Sequence, residues 1–241
     1  DMSSAGAATF NSSVNATNYL VGGSQGSDGQ VLTSTGSGVA WEDAGAASSV
    51  TFKTFGTSSV MVGDNATGTI DAADNNTGVG IDIFAALTSG DANTAVGFSA
   101  LKANTTGASN TGIGTNALLT VSTGGANTAV GSAALKLLTT ASNNTAVGCA
   151  AGDSITGGAQ NTIVGMEALQ ANTTGVNNVA IGYQAMYLNT ASENTAVGTY
   201  SLDANTTGGN NVAVGYNVLG ANTTGSQNTA IGHTALDSNT T

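Results

Sequence analysis

Small and branched apolar residues alternate with polar residues in short stretches along this chain, and each stretch ends in glycine. The commonest stretch is Asn-Thr-Ala-Val-Gly, as at 93–97 and 194–198, and a large apolar residue usually follows four positions after the glycine. Alternation of this kind predicts a short strand. The Asn-Thr-Thr-Gly sequence that often comes next predicts a turn and interrupts any helix.

The glycine that ends each stretch recurs at a nearly fixed interval. Nine of the ten intervals are 17 residues long, and the interval from Gly182 to Gly198 is 16. A fixed period of this length predicts one short structural unit stacked on itself. We expect the shorter interval to remove one residue from a turn and to leave the strands in register. The repeat glycines are Gly63, Gly80, Gly97, Gly114, Gly131, Gly148, Gly165, Gly182, Gly198, Gly215 and Gly232.

The fold class that follows is all-β. We expect a parallel β-roll or β-solenoid of about eleven coils over residues 59–241, with successive coils about 4.8 Å apart. Residues 1–48 form a separate N-terminal segment, in which 29–34 and 39–42 read as two strands joined by a glycine-rich turn. Residues 49–58 are expected to be a linker or junction.

The strand motif places two sets of side chains on opposite faces, with Thr and Val on one and Ala with Asn on the other. We expect the valines to fill the coil interior together with the Leu column. The alanines are expected to pack against other chains around the axis of an intertwined or side-by-side homotrimer. Burial of the alanines inside a flattened monomeric coil is the alternative. The repeat valines are Val96, Val130, Val147, Val197 and Val214, and the alanines assigned to the trimer interface are Ala95, Ala129, Ala146, Ala180, Ala196, Ala213 and Ala230.

Charge and cysteine content exclude several classes of partner. The chain has 3 Lys plus Arg against 14 Asp plus Glu, a net charge of −11. A protein with so few cations does not neutralise nucleic-acid phosphates or bind an anionic membrane surface. We see no apolar run long enough to insert into a membrane in this segment. The single cysteine, Cys149, excludes an intrachain disulfide and a multi-cysteine metal site.

Candidate chemistry is sparse, and we expect no enzyme, no catalytic residue and no cofactor. The one histidine, His233, lies in a variable column shared with Cys149, and no serine or acid motif accompanies it. Stacking would bring Asp74 and Asp91 together on adjacent coils. This pair is the one metal candidate, as a calcium site. A catalytic carboxylate pair and two solvated turn residues are the alternatives.

Two further columns concern recognition. Asparagines recur seven residues after the glycine and are expected to form hydrogen-bonded ladders between coils, with glycan contact as the alternative. The aromatic residues are candidates for stacking on sugar rings. The asparagines are Asn104, Asn172, Asn189, Asn205, Asn222 and Asn239, and the aromatic residues are Phe98, Tyr183, Tyr187, Tyr200 and Tyr216.

The strand motif, as in 194–198 and 178–182, resembles the core motif of YadA-like adhesin heads, which are trimeric left-handed parallel β-rolls. Very similar arrays occur in bacteriophage tail fibres. The segment 29–41 resembles a motif common near the start of phage fibre repeats. The 17-residue coil is longer than that of the usual adhesin head. The resemblances cover most of the chain and imply trimerisation and attachment, with no catalytic residue.

The leading functional hypothesis is therefore a structural and attachment protein, a rigid trimeric shaft segment of a phage tail fibre that presents a receptor-binding tip. Its expected partners are two further copies of itself, other virion or tail proteins at the N-terminus, and a host surface glycan or protein. The expected location is the virion, or else the cell surface or extracellular space.

Other functions stay open. A bacterial trimeric surface adhesin head is the first alternative. A ligand- or ice-binding β-solenoid is the second, suggested by Thr-Thr pairs such as those at Thr105 and Thr173. A polysaccharide depolymerase is disfavoured by the scarcity of acids. The chain begins at Asp1 without an initiator Met and stops at Thr241 inside a repeat, so we expect a segment of a longer protein.

Overall fold

The computed structural model describes residues 73–241, together with the strands found between residues 20 and 62. It divides the chain into two units, Asp1–Ser49 and Val50–Thr241. The described residues contain β-strands and turns but no helix. The strands are β1 Leu20–Val21, β2 Ser24–Gln25, β3 Gln30–Ser34, β4 Val39–Asp43, β5 Phe52–Lys53, β6 Val60–Val62, β7 Thr77–Val79, β8 Thr94–Val96, β9 Thr111–Ile113, β10 Thr128–Val130, β11 Thr145–Val147, β12 Thr162–Val164, β13 Val179–Ile181, β14 Thr195–Val197, β15 Val212–Val214 and β16 Thr229–Ile231.

The first unit contains the expected hairpin. Strand β3 pairs antiparallel with β4, with Gln30 opposite Asp43 and Ser34 opposite Val39. Strands β1 and β2 form a second antiparallel pair. In the stretch 49–58, expected to be a linker, β5 is a strand that pairs antiparallel with β6. The other residues of 1–48 and 49–58 lie outside the described residues.

The second unit is a parallel β-solenoid. Strands β6 to β16 follow one another in a single sheet in chain order. Equivalent residues of successive coils lie side by side, as Ala129 does with Ala146. The solenoid has about nine turns rather than the expected eleven. Gly63 lies outside the described residues, and the glycines from Gly80 to Gly232 bound nine intervals. Nine spacings of about 4.8 Å give a stack about 43 Å long.

Backbone hydrogen bonds join successive coils at the turns as well as at the strands. The N–H of Gly114 donates to the carbonyl of Val96 on the preceding coil at 2.8 Å. In the following turn, the N–H of Leu118 donates to the carbonyl of Ala134 on the next coil at 3.1 Å. The backbone polar groups of the turns are thereby satisfied without a second layer of structure.

The repeat glycine is required by two separate constraints. Its φ lies between 130° and 143° in every described coil, a region that other residues rarely adopt. A Cβ added at Gly148 would also lie 2.5 Å from the carbonyl oxygen of Gly165 on the next coil. A side chain in this column would therefore push adjacent coils apart from Gly80 to Gly215, where another repeat coil follows.

The interior of each coil is lined by small and large apolar residues in separate columns. The strand alanine, such as Ala129, is fully buried, as are the leucines four residues after the glycines, such as Leu118 and Leu135. The valines were expected inside, and this prediction is wrong, because Val147 is 38% exposed and Val130 is only partly buried.

The width of the interior explains why alanine rather than valine lies inside. Gly112 takes the place of the strand alanine in one coil. A Cβ there would already lie 3.3 Å from the Ala117 carbonyl oxygen and 3.3 Å from the Leu101 Cγ. A methyl group fills this space, and a branched side chain would clash with both neighbours.

At one position the alanine column holds a larger residue, and a glycine in the leucine column compensates for the extra volume. Gly152 occupies the column that holds a large apolar residue in the other described coils, and Ile163 occupies the alanine column of the strand that follows, β12. Both share the same space, because a Cβ at Gly152 would lie 2.7 Å from the Ile163 Cδ1. The isoleucine fills the volume that the missing leucine leaves empty, and it is fully buried.

An asparagine precedes each strand from β7 to β16, buried in every case but Asn228, and ties its coil to both neighbours. The N–H of Asn127 donates to the Oδ1 of Asn110 at 3.0 Å, and its Nδ2 donates to the Ala141 carbonyl at 3.0 Å. Sequence reasoning missed this ladder. The available signal was that asparagine occupies this column in every described coil. The column is Asn76, Asn93, Asn110, Asn127, Asn144, Asn161, Asn178, Asn194, Asn211 and Asn228.

The second asparagine column, seven residues after the glycine, forms the expected ladder only near the C-terminus. Asn205 Nδ2 donates to Asn189 Oδ1 at 2.6 Å, and Asn222 Nδ2 donates to Asn205 Oδ1 at 3.0 Å. The Oδ1 atoms of Asn104 and Asn172 are buried without a partner.

Neither unpartnered atom has an amide available on the next coil. Val121 follows Asn104 in the column and carries no amide. Asn189 follows Asn172 but donates its Nδ2 to the Ala191 carbonyl instead.

The short interval also follows its prediction. Ala180 pairs with Ala196 and Ile181 with Val197, so the strands stay in register. The missing residue falls in the turn, where Thr190 is followed by Ala191 instead of by a Thr-Gly pair. The sheet is therefore continuous across the irregular coil.

Candidate functional site

The most extensive candidate surface is the outside of the parallel sheet. The Thr and the Val or Ile side chains of β7 to β16 point outward, and we call this surface the outer strand face. Val79 is 44% exposed and Val147 is 38% exposed. Two rows run along the face, a row of mostly threonine and a row of Val and Ile.

The alanines assigned to a trimer interface do not lie on this face, and that assignment is wrong. Six of the seven have no accessible surface in a single chain, and the seventh, Ala230 in the last described strand, is 5% exposed. A side chain enclosed by its own chain cannot contact another chain. The enclosed alanines are Ala95, Ala129, Ala146, Ala180, Ala196 and Ala213.

The solenoid carries two rows of threonine with different roles. In the row eight residues after the glycine, Thr105 Oγ1 donates to the Ser122 carbonyl at 3.0 Å, and Thr139 Oγ1 donates to the Thr156 carbonyl at 3.0 Å. Within the described part of the chain, the threonines of the outer strand face make no such side-chain bond. Their hydroxyls remain open to an external partner.

Charged groups are absent from the outer strand face over residues 73–241. The acids of this range lie on the turns. Asp82 is one of them, and its Oδ2 accepts an ion pair from the Lys102 Nζ at 2.7 Å. Both side chains of that pair are largely exposed, so the pair contributes little to stability. The outer strand face is therefore a neutral strip on an acidic chain.

The candidate metal residues Asp74 and Asp91 do lie on adjacent coils. Their contact is between a side chain and the backbone, since the Asp91 Oδ1 accepts the Asp74 N–H at 2.7 Å. Within residues 73–241 no three His, Cys, Asp or Glu side chains are grouped as metal ligands. The Asp91 carboxylate therefore bonds the backbone of the turn on the neighbouring coil.

His233 and Cys149 are both exposed, in the variable column directly after the glycine. The imidazole of His233 stacks on the ring of Tyr216, with 5.3 Å between centroids and 17° between planes. Its contact is with an aromatic ring rather than with a serine or an acid.

Four rings follow one another on the last four repeat coils, and we call them the aromatic row: Tyr183, Tyr200, Tyr216 and His233. Tyr183 and Tyr200 meet edge to face at 5.4 Å, and Tyr200 and Tyr216 at 6.1 Å. Loss of hydration raises the pKa of the Tyr183 hydroxyl, and the nearby Tyr200 and Glu167 act in the same direction. Phe98 and Tyr187 lie outside the row.

Among the described residues, no helix is long and apolar enough to cross a membrane. Comparison with protein families, with curated proteins and with solved structures finds nothing that matches this chain.

Proposed function

We propose that this chain is a structural and attachment protein whose solenoid is a rigid shaft segment of a fibre. The observation that carries the proposal is the unbroken ladder of buried asparagines and paired strands along the whole described stack. Each coil is bonded to the next at its strand, at its turns and through its asparagine. Bending the rod would break several of these bonds at once, at a net cost of about 1 kcal/mol each.

The proposed assembly is a homotrimer joined through the outer strand face. In a threefold arrangement each contact joins two different patches, so the Val row of one chain would face the Thr row of the next. The face is about 43 Å long and about 10 Å wide, which gives roughly 430 Å² per chain. A neutral strip also lets acidic chains approach without like-charge repulsion.

Within this class the proposal is a phage tail fibre, located on the virion. Its partners would be other tail proteins at the N-terminal side and a host surface glycan or protein beyond the shaft. A bacterial trimeric adhesin head at the cell surface is the alternative in the same class. Both rest on the strand motif and on the solenoid, a fold typical of structural proteins. Neither reading assigns the segment an enzymatic activity.

The test is the mass in solution, measured by sedimentation equilibrium. The proposal predicts three times the 23.2 kDa chain mass. Val147→Glu with Val197→Glu places two carboxylates on each outer strand face and is expected to reduce the mass to that of a monomer. Asp153→Ala, at a half-buried turn position outside the outer strand face, is the control and should remain trimeric. A monomeric wild-type chain with an unchanged far-ultraviolet spectrum would contradict the proposal.

A second candidate function is supported by the open threonine hydroxyls. A flat, uncharged array of hydroxyl and methyl groups at regular spacing suits an ordered surface such as ice. This function needs the outer strand face to be free, so it excludes the proposed trimer. Thermal hysteresis from a monomeric protein would favour it, and loss of that hysteresis in Thr128→Asp would place it on this face.

A further inference from the structure

The aromatic row is not required by the solenoid fold. Tyr183, Tyr216 and His233 directly follow the repeat glycine, and Tyr200 lies one position further along its coil. The column after the glycine holds Thr115 and Ser132 in earlier coils, and those coils keep the same strand register. Rings in the last four repeat coils are thus an addition to a framework that folds without them. Tyr216 remains 48% exposed, and Tyr183 and Tyr200 are partly exposed.

The geometry leaves ring faces available to a ligand. In an edge-to-face pair, one ring contributes only its edge and keeps both faces clear of that neighbour. Two such pairs join Tyr183, Tyr200 and Tyr216, and the His233 imidazole covers one face of Tyr216. Each of these tyrosines is also next to a polar residue in the sequence, namely Gln184, Thr199 or Asn217. A ligand with apolar C–H faces and hydroxyl edges fits this combination.

The charge of this part of the chain further limits the class of ligand. Residues 137–241 contain no Lys or Arg, and Glu167 lies beside Tyr183. A sulfated, phosphorylated or carboxylated polymer would meet repulsion here with no cation to compensate. We propose that the aromatic row binds an uncharged polysaccharide, whose sugar rings stack on the exposed tyrosine faces.

A second copy of the chain is a poorer occupant of this surface. Contact between parallel copies would run along the whole solenoid, as the outer strand face does. The aromatic row occupies only the last four repeat coils, from Tyr183 to His233. The proposal extends the attachment role and rests on different residues from the trimer, so either can fail alone.

The experiment is affinity electrophoresis of the full chain in native gels that contain dextran, mannan or galactan, with dextran sulfate as the charged counterpart. The proposal predicts retardation by at least one uncharged polysaccharide and none by dextran sulfate. The double variant Tyr183→Ser with Tyr216→Ser should lose at least tenfold in affinity. Phe98→Ser is the matched control, because Phe98 is 51% exposed in the same column but belongs to an earlier coil. It should bind like the wild type.

Two further measurements on the double variant separate binding from structure. Its far-ultraviolet spectrum and its mass in solution should match those of the wild type. Absence of retardation by all three uncharged polysaccharides, or binding that survives in the double variant, would overturn the proposal. A fall in mass would also overturn it, because it would make the aromatic row a contact between chains.

Discussion

The compensating pair Gly152 and Ile163 offers a quantitative test of which residues fill the coil. Ile163→Ala restores the commonest residue of its column but leaves a void, because Gly152 has no side chain to occupy the space. The change removes three buried carbon atoms, which accounts for about 2.4 kcal/mol at about 0.8 kcal/mol per buried methylene. Incomplete collapse of the cavity adds to this, and we expect a loss of about 3 kcal/mol.

The converse change overfills the same space. Gly152→Leu suits the backbone, since φ at this position is 59° and the leucines in the same column have φ near 50°. Its Cβ would nevertheless lie 2.7 Å from the Ile163 Cδ1. We expect a loss of about 2 kcal/mol from overpacking. The double variant recreates the consensus coil and should recover to within about 1 kcal/mol of the wild type, a coupling on the order of 4 kcal/mol.

The assay is native-state hydrogen exchange of the amides in β11 and β12, read as local opening free energies. This local measure is preferred because long repeat arrays do not always unfold as one unit. Leu169→Ala, in the next coil, is a control that should cost about 3 kcal/mol alone and not be rescued by Gly152→Leu. Additive effects of Ile163→Ala and Gly152→Leu would refute the assignment of these residues to one interior space.

Three further predictions concern the polar and backbone features of the coil. Asn104→Leu removes an unpartnered buried Oδ1 but also the bond from its Nδ2 to the Gly107 carbonyl, so it should change the free energy of unfolding by less than about 1 kcal/mol. Asn205→Leu should lower the free energy of unfolding by about 2 kcal/mol because it breaks the ladder, and denaturant titration of the pair measures both. Gly148→Ala should disrupt the stack of coils. Gly232→Ala should cost only the backbone strain of about 1–3 kcal/mol, because no atom lies closer than 3.9 Å to its added Cβ. Hydrogen exchange of the two variants compares their stabilities. Burial raises the folded-state pKa of Asp203, so the folded state should gain stability as the pH falls through that pKa towards 3.8. Asp203→Asn should raise the stability at neutral pH and abolish this gain, as measured by thermal melts at several pH values.

The coil period, the strands and their parallel register could be predicted from the sequence because they follow from one repeated spacing. The shortened coil before Gly198 is an example, since a fixed register leaves only the turn to absorb a missing residue. The hairpin of β3 and β4 could be predicted from its flanking strands and glycine-rich turn. Each of these features depends on local order along the chain.

Which face of the strand is buried could not be predicted in the same way. Alternation shows that Thr and Val share a face, but it does not show whether that face points inward. The deciding quantity is the narrow gap between the strand and the opposite turn, seen at Gly112. That gap arises from packing across the coil.

The buried asparagines were missed for a related reason. Asparagine is mostly an exposed residue in proteins, so a recurrent Asn before a strand favours a turn. In the solenoid the amide bonds the backbone of the adjoining coils, as Asn127 does with Ala141. Whether a threonine hydroxyl of the outer strand face is free likewise depends on which backbone carbonyls lie within its reach in the folded coil.

The arrangement of chains around the outer strand face can be measured most directly through Cys149, the single cysteine of the chain. It is exposed and lies two residues after Val147 of β11. A spin label on Cys149, measured by double electron–electron resonance, should report one narrow intermolecular distance with the modulation depth of three equivalent spins. Absence of intermolecular modulation in the folded protein would contradict the proposed trimer.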